Sequence, residues 1–136
     1  MLSHGAKKRI DPIAQFMQEH DEILMHLSSL NKATTSITRH GFSVDAFNRI
    51  LAAMHFIQDE VSVHNMREEE ALFPVIERYV EGPTSLMRED HKYLKKEFTK
   101  LKQCVKKLDK KKDDHKLALE LEGTAKKIVH RFVNHI

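Results

Sequence analysis

The sequence predicts an all-α fold, an up-down-up-down antiparallel four-helix bundle, on three observations. Breakers are scarce, with 4 Gly and 3 Pro in 136 residues, and long β-branched runs are absent. Apolar residues recur at steps of three and four through successive segments, the period of a helix with one face on a core. Short stretches of turn-forming residues separate those segments, and short connections join neighbouring antiparallel helices. The whole chain, 1–136, reads as one domain, long enough to bury a core.

The first helix is predicted from about Asp11 towards His40. Asp11 followed by Pro12 is an N-cap with proline in the first turn. Its stripe is Ile13, Phe16/Met17, His20, Ile23/Leu24, Leu27 and Leu30. Thr34 to Thr38 is a weak helical stretch, and Gly41 supplies a C-cap. The second helix starts after Ser43 with Asp45 in its first turn. It carries Phe47, Ile50/Leu51, Met54, Ile57, Val61, His64, Glu68 and Leu72. Pro74 is predicted to end or kink it, with a short segment from Val75 to Val80 beyond. Glu81-Gly82-Pro83 is a turn.

The third helix is predicted from Thr84 or Ser85, with Met87, His91, Leu94, Phe98, Leu101, Val105 and Leu108 on its stripe. It fades into a Lys/Asp segment. The fourth runs from about Asp114 with Leu117, Leu121, Ala125, Ile128, Phe132 and His135.

Composition removes several function classes. The single cysteine, Cys104, allows no intramolecular disulfide and fits a reducing compartment. No apolar run reaches membrane-spanning length. The first residues, MLSHGAKKRID, lack a secretory core, so the expected location is cytoplasmic. The net charge of +3 is concentrated at Lys106, Lys107, Lys110, Lys111 and Lys112. With no aromatic or Arg interleaved, this run reads as a solvated helix end, not a nucleic-acid site.

Ten histidines are the more unusual feature. His20, His64, His91 and His135 fall on the apolar stripes of four different helices, where a lone imidazole is costly to bury. Counting from the turns puts them at one height. His20 and His64 each lie 22 residues from position 42, and His91 and His135 each lie 22 residues from position 113. His40 is excluded, about 30 Å along the first helix from His20 at ~1.5 Å per residue. His26, His55 and His130 fall off their stripes, His4 lies in the tail and His115 in a loop. Glu68 is one helical turn from His64 and shares its face, whereas Glu69 and Glu70 point outwards. Imidazole with carboxylate and no cysteine suits iron, manganese or zinc, not a zinc knuckle or an iron–sulfur cluster. A glutamate bridging two metals would explain ligands drawn from every helix.

Glu19-His20-Asp21, the run His64-Asn65-Met66-Arg67-Glu68-Glu69-Glu70-Ala71-Leu72-Phe73-Pro74, Glu89-Asp90-His91 and the terminal Val133-Asn134-His135-Ile136 together resemble the hemerythrin-like domains of the HHE cation-binding family. The resemblance covers essentially the whole chain. It implies a non-haem di-iron site with His20, His64, His91 and His135 as terminal ligands and Glu68 as a bridging carboxylate. The implied function is binding of oxygen, nitric oxide or peroxide as carrier, sensor or scavenger. The alternatives are iron storage, delivery or repair of damaged iron centres, a di-iron oxidoreductase, or a bundle that only mediates protein contacts. Two departures bear on this. Oxygen carriers place a second histidine four residues after the third-helix ligand, and here that position is Lys95. The family also places a second bridging acidic residue beyond the fourth-helix histidine, so the fourth helix reads as cut short at Ile136.

Overall fold

The computed structural model describes residues 12–135 in backbone and 14–134 in side chain, and the described residues are all-helical, with no strand among them. Helix α1 spans Pro12–His40. Helix α2 spans Val44–Arg67 and continues through a π turn, Glu68–Leu72, into the short α3, Phe73–Glu77. Helix α4 spans Pro83–Lys110 and α5 spans His115–His135.

The ends follow from local chemistry. α1 runs through its threonine-rich segment, where Thr34 Oγ1 donates to the Asn31 carbonyl (3.0 Å) and Thr38 Oγ1 to the Thr34 carbonyl (3.1 Å). It stops at Gly41, whose φ of 88° suits only a residue without Cβ. The Gly41 amide still donates back to the Ile37 carbonyl (2.9 Å). Ser43 caps α2 as predicted, its hydroxyl accepting from the Ala46 amide at 3.0 Å. Gly82, with φ 103°, makes the turn into α4. Asp114 Oδ1 accepts from the Leu117 amide (3.2 Å) at the start of α5.

Pro74 does not end the helical run, which continues to Glu77. The chain widens into the π turn first, so Pro74 falls in the first turn of α3, where its missing amide matters least. The wider turn also shifts the stripe. Phe73, five residues after Glu68, is fully buried, whereas the predicted Leu72 is only half-buried.

α1 packs along α2 and α5, and α4 packs along α5 and meets α3. Ile23, Leu27, Leu30, Ile50, Leu101, Leu108, Leu121 and Phe132 form the centre of the core. Met17, expected as a stripe alternative, is exposed, and Phe16 is half-buried in its place. On α4, Phe98 packs half-buried against the core, and its neighbour Glu97 is buried more deeply. The five lysines of the 106–112 segment are exposed, as a solvated helix end requires. No helix among the described residues is long and apolar enough to cross a membrane.

Candidate metal centre

Of the five residues singled out by sequence, the structure brings four together. His20 on α1, His64 on α2, Glu68 at the first position of the π turn and His91 on α4 are all buried, His64 and Glu68 to 1% exposure. At that depth an ionised carboxylate needs partners, and Glu68 has them on both oxygens. Its Oε1 lies 2.9 Å from His91 Nε2, and its Oε2 lies 3.2 Å from His64 Nε2 and 3.7 Å from His20 Nε2. The two imidazoles meet Nε2 to Nε2 at 2.8 Å. His20, His64 and Glu68 each offer one ligand atom within 4.8 Å of the others. The fifth residue, His135, lies outside the described side chains. Helix α5 nonetheless passes the site, because the Phe132 ring sits 5.7 Å from that of His20, edge on.

A second layer of side chains sets the direction of the nitrogens. His64 Nδ1 lies 2.7 Å from Glu19 Oε1, and His91 Nδ1 lies 2.6 Å from Glu69 Oε2. A carboxylate can only accept, so each Nδ1 carries its proton and each Nε2 faces the cluster. Both glutamates are held in turn. Arg67 donates to Glu19 Oε2, and Arg88 approaches Glu69 Oε1 at 3.8 Å. Both arginines lie over phenylalanine rings, Arg67 over Phe16 and Arg88 over Phe73. Those same rings contact the histidines: Phe16 meets His64 edge-on at 5.1 Å and Phe73 stacks on His91 at 5.7 Å. Thus Arg67–Glu19–His64 and Arg88–Glu69–His91 are built alike. Arg88 also reaches Glu77 (3.3 Å), whose carboxyl is held below the usual range by the Thr84 hydroxyl and, more weakly, by Arg88.

Burial works against a charged imidazolium at His91. The hydrogen bonds to Glu68 and Glu69 outweigh it and raise its pKa above the ordinary histidine value. A proton on Nε2 and a cation there compete for one lone pair.

Glu69 corrects the sequence expectation. An α-helical count points it outwards, but the π turn brings it round to the His91 ring. Glu70 is exposed, as expected. Glu19, quoted in the Glu19-His20 pair without a role, proves to be the partner of His64. The signal available was the placement of Arg67 one turn after His64, a cation waiting for an acid. Of the histidines set aside, His40, His55, His115 and His130 are exposed, and His26 stacks on Phe56 at 3.6 Å.

The donor set is fit for a metal. The Nε2 atoms of His20 and His64 and an oxygen of Glu68 converge in a buried pocket with no sulfur, and outer carboxylates orient the His64 and His91 rings. Helical fold and donor set together define a cation-binding helical protein. The family model of the hemerythrin HHE cation-binding domain matches residues 11–136, and the chain belongs to that family. No curated protein and no solved structure shows significant similarity to it.

Proposed function

We propose that the chain is a non-haem di-iron protein that takes oxygen, nitric oxide or peroxide as carrier, sensor or scavenger. The observation that carries this reading is Glu68: one oxygen faces His91 and the other faces His64 and His20. A carboxylate so shared supports a two-ion reading, in which Glu68, His20, His64 and His91 would hold the iron. His135, at the end of α5, is proposed as a further ligand, in a bundle of up-down-up-down topology. Glu19 and Glu69 are proposed to orient the rings rather than to ligate.

Iron held there would supply open coordination positions and a change of oxidation state. The chain's own groups do the rest. Glu19 and Glu69 retain the Nδ1 protons, so both Nε2 atoms face inwards, where a bound cation would displace the proton that His91 Nε2 shares with Glu68. Phe16, Phe73 and Phe132 pack against the rings, and this apolar surround strengthens each charge interaction. Lys95, exposed one turn after His91, adds no imidazole, which favours sensing or scavenging over reversible carriage.

The test is metal content. Protein produced with iron should contain close to two iron ions per chain (order of magnitude as for a carboxylate-bridged pair) by plasma mass spectrometry. His64→Ala and Glu68→Ala should each abolish loading while the far-ultraviolet helix signal persists. Unchanged loading in either variant would overturn the assignment. Loaded protein should also change its ultraviolet–visible spectrum on exposure to oxygen, nitric oxide or peroxide, and a spectrum indifferent to all three ligands would remove the small-ligand role.

A further inference from the structure

Between α2 and α4 the bundle is not closed. These two helices scarcely touch along their lengths, while α1 packs on both α2 and α5. A cleft of about 720 Å³ fills the gap, within the roughly 300–1,000 Å³ usual for small-molecule sites. Its floor reaches across the bundle: Leu27 comes from α1, Ile57 and Val61 from α2, Leu94 and Phe98 from α4, and Phe132 from α5. Its α4 wall runs from Arg88 to Lys102, about 20 Å at ~1.5 Å per residue. The cleft is therefore long, narrow and apolar at its base.

Its α4 edge is basic. Lys92, Lys95 and Lys102 all line it, spaced along one side of the helix. None of the three has a carboxylate within ion-pair distance among the described residues, whereas Lys100, Lys112 and Lys126 each pair with an acid on their own helix or turn. The acids on the other wall do not neutralise them. Glu69 is engaged by His91 and Arg88, and Glu70, which also lines the cleft, is exposed and makes no ion pair with the three lysines among the described residues. Unpaired ammonium groups above an apolar floor match one ligand chemistry, an anion with a hydrocarbon body.

We propose that this cleft binds a medium-chain carboxylate, its hydrocarbon chain along Val61, Leu94 and Phe98 and its carboxylate at the edge between Lys92 and Lys95. The proposal does not depend on the metal reading. The lysines and apolar side chains that hold the ligand are not among the proposed metal ligands, and the ligand is held by charge and apolar contact alone. Because His91 and Glu69 also line the cleft, an occupant would close the open side of the candidate metal centre.

Calorimetric titration of the full chain with decanoate, with and without iron, tests it. Saturable one-to-one binding is expected in both forms, with decanol and decyltrimethylammonium at least about tenfold weaker and acetate silent. The triple variant Lys92→Glu, Lys95→Glu, Lys102→Glu should lose about tenfold or more in decanoate affinity with its circular dichroism unchanged. Val61→Trp, which fills the floor, should abolish binding; should it fail to fold, the exposed lysine variant decides alone. Equal binding of decanoate and decanol, an unaffected lysine variant, or no saturable binding would each overturn the proposal. Failure here with normal iron loading would leave the metal reading standing, and the reverse result would leave the cleft.

Discussion

Glu19 and Glu69 each accept a hydrogen bond from a histidine Nδ1, and each faces an arginine on its other oxygen. Such outer carboxylates fix ring orientation and raise the basicity of the opposite nitrogen. Replacing either by glutamine keeps the shape but weakens the acceptor and removes the charge that steadies the Nδ1 proton. Glu19→Gln and Glu69→Gln are therefore expected to lower iron affinity by roughly 10–100-fold each, measured by competition with a chelator of known strength. Helix content and cooperative unfolding should be unchanged. Affinity equal to wild type would show that the two glutamates are ordinary surface partners. The ligand candidates themselves were legible because histidine on an apolar stripe violates the chemistry of a core. Their carboxylate partners were not, because glutamate at the margin of a stripe is what any solvated helix shows. Glu97 makes the same point on α4. Both Glu97 and Phe98 satisfy the three-and-four spacing after Leu94, and polarity points to Phe98, which does pack half-buried against the core; the packing buries Glu97 more deeply, with Lys100 at 3.3 Å from its Oε2.

At the scale of elements, the stripes and caps located the starts of the four long helices to within a residue or two, since Ser43, Gly41 and Gly82 each do one physical job that no bulkier or apolar residue does there. The π turn was the part that periodicity hid. A step of five between the buried Glu68 and Phe73 is its only trace in the sequence, and Leu72 at the expected step of four masks it. This extra residue has a specific consequence: it lets neighbours Glu68 and Glu69 reach the two nitrogens of one ring, His91. Deleting the exposed Ala71 should restore an ordinary α-helical turn. Phe73 would then fall four residues after Glu68 and stay on the stripe, so the melting temperature should move by only a few degrees, about 1 kcal/mol or less. Glu69 would turn away from His91, and iron affinity should fall as in Glu69→Gln. A deletion variant with full affinity would show that the wide turn is incidental to the site.

For the whole molecule, the candidate centre sits where the bundle is least tied together. α2 and α4 scarcely touch along their lengths, yet Glu68 and Glu69 reach across to His91 from the π turn, while His64 meets His20 from α1. The height argument from turn counting anticipated that His20 and His64 would meet, because rise per residue is fixed once a helix forms. It could not foresee the cleft, which depends on side-chain volumes summed over four helices. A cation at Glu68 would join α1, α2 and α4 at one point and would replace a set of acid–imidazole hydrogen bonds that stand on buried charge. Any ligand that binds only the folded state adds RT ln(1 + [L]/Kd), about 4 kcal/mol at a thousandfold excess over Kd. For a domain of this size that is a rise in Tm on the order of 10 °C. Iron-loaded protein should melt that much higher than chelator-stripped protein in differential scanning calorimetry, and the His64→Ala, Glu68→Ala double variant should show no iron-dependent rise. An equal rise in the double variant would place the stabilising ion elsewhere on the molecule. No rise in the wild type would mean that the folded chain binds iron no more tightly than the unfolded one, which would overturn the metal reading.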